Sequence, residues 1–130
     1  MTTFEIINEN KEAYYVQFVT RRGNVKDDKT EPELVKRWVK KKYVRALHNI
    51  LRTTRKKDYD EDGKIGCHYI CEKLCKRFGL KNFFHDGEFN WKEFFGTRNL
   101  YHNAYNLPMN ILNTQGKIIY HKNGKATYVK

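Results

Sequence analysis

Apolar and polar positions along the chain fall into segments of two different periods. Phe4 to Ile7 and Ala13 to Val19 are β-rich runs separated by the turn-prone Asn8-Glu9-Asn10-Lys11, and together they predict an N-terminal β-hairpin. Arg21 to Lys29 offers turn residues and charge without periodic apolar positions, as a loop does. Thr30-Glu31-Pro32-Glu33 has the form of a capping box with proline in the first turn. From there Val35, Trp38, Val39, Ala46, Leu47, Ile50 and Leu51 recur at steps of three and four, which predicts a helix over about 31–54.

Cys67, Ile70, Cys71, Leu74, Cys75 and Phe78 repeat the helical spacing, and Gly79-Leu80 supplies a C-terminal cap, so a second helix is predicted over about 66–78. Asn90-Trp91-Lys92-Glu93 is a further capping box opening a short helix, and Asn106-Leu107-Pro108 opens a last helical turn through Leu112. GKIIYHK and KATYVK flank Asn123-Gly124, a pair suited to a two-residue type I′ turn, and predict a C-terminal hairpin in which Lys122 faces Lys125.

The resulting order, N-terminal hairpin, three to four helices, C-terminal hairpin, is that of an α+β fold in a single domain over 1–130. From residue 31 onward the succession of helices followed by a two-stranded wing resembles a winged-helix domain. That resemblance is one of element order over roughly 100 residues, and what it implies concerns the fold alone.

Charge sharpens the picture. The net charge is +11, with an isoelectric point near 9.6. Between residues 34 and 57 stand Lys36, Arg37, Lys40, Lys41, Lys42, Arg45, Arg52, Arg55, Lys56 and Lys57 with no acidic residue, so this stretch alone carries +10. Lys36/Lys40 and Arg37/Lys41 would be like-charged i, i+4 pairs on a helix, a repulsion that contact with a polyanion relieves. After Glu93 the chain has no acidic residue, while Arg98, Lys117, Lys122, Lys125 and Lys130 add +5. The expected partner is nucleic acid, with DNA ahead of RNA, bound through the ten residues above together with Arg98, Lys117, Lys122 and Lys125. Thr97 to Asn106 carries Arg, Asn and Tyr types able to read or stack on bases. The alternative is a protein-interaction module that docks on an acidic surface of a host complex such as RNA polymerase, with Trp91, Phe94 and Phe95 as candidate anchors.

Candidate chemistry adds little. The cysteines share their stripe with Ile70, Leu74 and Phe78, and one helix cannot wrap four ligands around a zinc ion, so Cys67, Cys71, Cys75 and His68 point to core packing. None of the five histidines stands in a recognisable catalytic motif, and there is no glycine-rich phosphate loop. Asp58-Tyr-Asp60-Glu-Asp62-Gly63-Lys-Ile65 resembles the start of an EF-hand loop, but Tyr69 stands where its bidentate glutamate belongs. The stretch is better explained as an acidic boundary to the basic segment. A non-enzymatic protein without cofactor or metal is therefore expected.

No apolar run approaches the roughly 18 residues of a membrane span, and the N-terminus lacks signal-peptide character, which predicts a cytoplasmic or nuclear location and no membrane partner. Twelve asparagines among many Lys, Ile, Tyr and Phe fit an AT-rich coding genome such as that of a virus or phage, and a transcription factor would be a natural role there.

Overall fold

The computed structural model describes residues 4–21, 32–79, 94 and 107–130. It is α+β: strands β1 (Phe4–Glu9), β2 (Ala13–Arg21) and β3 (Pro32–Lys40), helices α1 (Lys41–Thr53), α2 (Cys67–Phe78) and α3 (Leu107–Thr114), then strands β4 (Ile118–Tyr120) and β5 (Ala126–Tyr128). Among the described residues there are three α-helices, together with a 3₁₀ turn at Lys56–Asp58. The capping box at Asn90 lies outside the described residues except for its neighbour Phe94, which is buried at 1% exposure.

The expected N-terminal hairpin is present and gains a third strand, giving an antiparallel sheet in the order β1-β2-β3. Asn10 makes the first turn: its Oδ1 accepts the backbone N–H groups of Glu12 and Ala13, each at 2.8 Å. A register shift between Ile6 and Asn8 leaves Ile7 out of the pairing.

The helix expected over 31–54 begins only at Lys41, because residues 32–40 are a strand paired residue for residue with β2 from Arg21↔Pro32 to Ala13↔Lys40. Val35, Trp38 and Val39 fit a helical stripe, yet Val35, Arg37 and Val39 also alternate, and in the structure these three turn inward while Leu34, Lys36, Trp38 and Lys40 are exposed. Two forces favour the strand. Val and Trp suit a pleated surface, and extension sets Lys36 and Lys40 about 13 Å apart along the backbone, where a helix would stack them within about 6 Å. Thr30 and Glu31 lie outside the described residues, and α1 has no side-chain cap. Its first amide, that of Lys41, donates instead to the Glu12 carbonyl at 2.8 Å.

α1 is the centre of the molecule. Tyr43, Val44, Ala46, Leu47 and Leu51 are buried, and they join one core with Val16, Phe18 and Val39 of the sheet, Ile70, Cys71, Leu74 and Cys75 of α2, Leu107, Ile111 and Leu112 of α3, and Ile118 of β4. α2 ends as expected on Gly79, whose φ of 69° is the left-handed conformation a glycine cap supplies.

The C-terminal hairpin forms, with a different turn. His121 N–H donates to the Lys125 carbonyl at 2.9 Å and Gly124 N–H to the His121 carbonyl at 3.0 Å, so the loop is Lys122-Asn123-Gly124. Only Gly124 has positive φ, at 84°, whereas a type I′ turn needs it at Asn123 as well. Asn123 Oδ1 accepts the Lys125 N–H at 3.0 Å and stabilises this longer turn. Lys125 consequently lies opposite His121, and the facing pair of lysines is not formed.

Candidate nucleic-acid interface

The basic residues of 34–57 are divided between two secondary structures and point in several directions. On α1, Lys42, Arg45 and Arg52 are exposed and, with exposed Asn49 between them, form one ridge at steps of three, four and three. Asn49 Oδ1 accepts a hydrogen bond from Arg52 Nη2 at 2.8 Å, which joins the last two members of the ridge. Arg55, Lys56 and Lys57 continue the positive charge as exposed residues beyond the helix. Arg52 also stands in the last turn, where the helix dipole favours a cation.

Lys41 is drawn away from this ridge. Its ammonium pairs with Glu9 of β1 and lies 5.0 Å from the centre of the Tyr14 ring, fastening the start of α1 to the sheet. Lys40 and Lys42 lie 5.9 and 5.4 Å from the Tyr43 ring centre. Lys36 is exposed on β3, and Arg37 is half-buried on the opposite side of the strand.

Lys122 and Lys125 are exposed at the hairpin turn and Lys117 is half-buried at its base. The stem of Lys125 lies against the acidic loop: a Cβ placed on Gly63 would meet its Cγ and Cδ at 3.5 Å. The hairpin is tied to α1 by His48, whose Nε2 lies 2.9 Å from the Val129 carbonyl oxygen. Arg98 and the segment 97–106 lie outside the described residues, as do Trp91 and Phe95. Phe94, proposed with them as an anchor, is a core residue.

The acidic stretch is a built turn. Asp60 Oδ1 accepts the N–H groups of Asp62 and Lys64, each at 3.0 Å, the backbone closes from Asp60 N–H to the Lys64 carbonyl at 2.7 Å, and Gly63 takes a φ of 75°. Ile65 follows, buried, with its N–H donating to the Tyr128 hydroxyl at 3.1 Å, while Tyr59 meets the Tyr128 ring edge-on at 5.8 Å. Burial raises the Tyr128 hydroxyl pKa above its usual value; the hydrogen bond from Ile65 opposes this, and Tyr59 and Asp60 add to it. The carboxylate at the third EF-hand position thus serves its own backbone, and among the described residues no three His, Cys, Asp or Glu side chains converge as metal ligands would.

Asp60→Ala is expected to cost about 1 kcal/mol of stability in urea titrations without calcium, since two hydrogen bonds are lost at an exposed site. Calcium should leave the wild-type melting temperature unchanged. A calcium-dependent rise in that temperature would restore the ion-binding interpretation.

Cys71 and Cys75 are buried on the apolar stripe of α2, and burial pushes the Cys75 thiol up, away from the reactive thiolate. His68 is exposed. Among the described residues, no helix is long and apolar enough to cross a membrane.

The element that sequence reasoning missed is the outer face of the sheet. Trp38, placed by its spacing on a helical core stripe, is 43% exposed there beside Tyr15. The alternation of Val35, Arg37 and Val39 was the available signal. Comparisons of the chain with protein-family models, with curated proteins and with solved structures give no match.

Proposed function

We propose that this chain is a non-enzymatic nucleic-acid-binding protein whose preferred ligand is DNA. The observation that carries this reading is the ridge Lys42-Arg45-Asn49-Arg52 on α1, which is exposed along its length and continued by Arg55, Lys56 and Lys57 without an intervening acid. A helix of about 10–12 Å diameter fits a major groove, and Arg and Asn are the side chains that bond guanine and adenine edges there. The order of helices followed by β4 and β5 supports a winged-helix-like role for the hairpin, with Lys122 and Lys125 near phosphates. Asp58, Asp60, Glu61 and Asp62 then mark where phosphates are repelled.

Binding of duplex DNA, single-stranded DNA and RNA, compared between about 50 and 300 mM salt, tests this. For four to six phosphate contacts the affinity for DNA should fall by more than about 100-fold over that range. Equal affinity at both salt concentrations would remove the phosphate backbone as the ligand.

A further inference from the structure

We propose that the outer face of the three-stranded sheet is a stacking platform for unpaired bases, so that the nucleic acid engaged there is single-stranded. This inference rests on the nucleic-acid reading above and adds the strand state of the ligand and a second surface that takes it.

The face is assembled by register. Tyr15↔Trp38, Gln17↔Lys36, Val19↔Leu34 and Ala13↔Lys40 are opposed pairs whose side chains share one side of the sheet, while Val16, Phe18 and Val39 on the other side belong to the core. Trp38 and Tyr15 lie with ring centres 4.7 Å apart at a tilt of 35°, forming a continuous aromatic surface. Trp38 is 43% and Leu34 58% exposed, values at odds with the burial such residues ordinarily seek. Lys36 and Lys40 flank Trp38 on the same face, each about 7 Å from it along the strand. Glu5, bonded to Gln17 through its Oε2 at 3.1 Å, is the acid that borders the platform on β1.

Aromatic rings with lysines on either side match the two needs of an unpaired strand: a π-surface for the bases and cations for the phosphates between them. In a duplex the base faces are already stacked inside, and a flat sheet face has no edge to insert into a groove. A second copy of the chain would bring +11 against +11, and would set Lys36 and Lys40 of the platform against their counterparts. A polyanion is attracted by the same charge.

Fluorescence anisotropy of the full chain with a dT oligomer of about 15 nucleotides, and with a duplex of the same length, tests the assignment using Trp38→Ala and Trp38→Phe. Trp38→Ala should weaken dT binding by about 5- to 100-fold, the usual loss for one base–aromatic stack, with duplex affinity changed less than about twofold. Trp38→Phe, which keeps a ring, should recover most of the loss, and thermal melts should show both variants folded at the assay temperature, with Trp38→Ala melting a few degrees lower for the lost Tyr15 pair. Loss of dT binding confined to Trp38→Ala supports the platform. No effect on dT, an equal effect on duplex, or no recovery by phenylalanine overturns it while leaving the basic ridge intact as a DNA surface. Failure of the wild type to bind any nucleic acid overturns the broader reading as well. A wild-type dimer in sedimentation that Trp38→Ala converts to monomer, or an acidic protein retained after nuclease treatment and released by Trp38→Ala, assigns the face to that partner instead and also overturns the proposal.

Discussion

Leu47→Ala should cost about 3–5 kcal/mol, the upper part of the range for a leucine emptied from a packed core. Leu47 is fully buried on the helix that joins the sheet to α2 and α3, so its cavity would have walls on several elements that cannot all collapse. Against a total of about 5–15 kcal/mol for a domain of this size, that loss removes much of the margin. Urea or thermal denaturation should show a midpoint lower by roughly 10–20 °C, or an unfolded population at 37 °C. Leu34→Ala on the outer sheet face serves as the control and should change stability by less than about 0.5 kcal/mol. A loss below about 1 kcal/mol for Leu47→Ala would contradict the central position of α1.

The second large effect concerns binding. Replacing Lys42, Arg45 and Arg52 together by glutamate changes the charge of residues 34–57 from +10 to +4, because three cations become three anions. All three are exposed, so the fold should survive with a small cost at Arg52, where a glutamate opposes the helix dipole by about 0.3–1 kcal/mol. Affinity for DNA should fall by more than about 1000-fold near 50 mM salt, and the slope of log affinity against log salt should shrink by about three. Unchanged binding by the folded variant would show that phosphates are met elsewhere. Single substitutions of Lys41 are a poorer probe, since its partners Glu9 and Tyr14 make it a structural contact.

Where local chemistry decides, the sequence was legible. The cysteine helix and its Gly79 cap, the β4–β5 pair and the short helix at Leu107 all follow from spacing and punctuation over a few residues. Residues 32–40 were not legible by that route. Val35, Trp38 and Val39 satisfy both periods, and the choice was made by β2, whose pairing partners lie 11 or more residues earlier in the chain. The error carried a functional consequence: one basic helix became a strand and a shorter helix, and the charge counted as a single face now lies partly on the ridge of α1 and partly on the sheet. Asn123-Gly124 was misjudged more finely. The dipeptide does mark the turn, but Asn123 uses its side chain to hold Lys125 N–H and keeps negative φ, which lengthens the loop by one residue. The EF-hand likeness has a related ambiguity, since an aspartate able to ligate a cation is equally able to cap its own turn, as Asp60 does here.

Three long-range hydrogen bonds bear on how the chain acquires its structure during synthesis. Ile65 reaches Tyr128 across 63 residues, His48 reaches Val129 across 81, and Gln115 reaches Tyr14 across 101. A ribosome delivering the chain from its N-terminus would release β1 to β3 and α1 long before the groups that anchor α1 and the acidic turn exist. The sheet can pair early, with its aromatic face and lysines already exposed, whereas the ties from Ile65 and His48 are completed only when residues 128 and 129 have emerged. Such non-local closure slows folding and prolongs the exposure of apolar surface. For this chain, the part released first is nearly neutral, residues 1–40 carrying eight basic and seven acidic side chains, and the strongly basic stretch 41–57 emerges only with α1 and the turn after it.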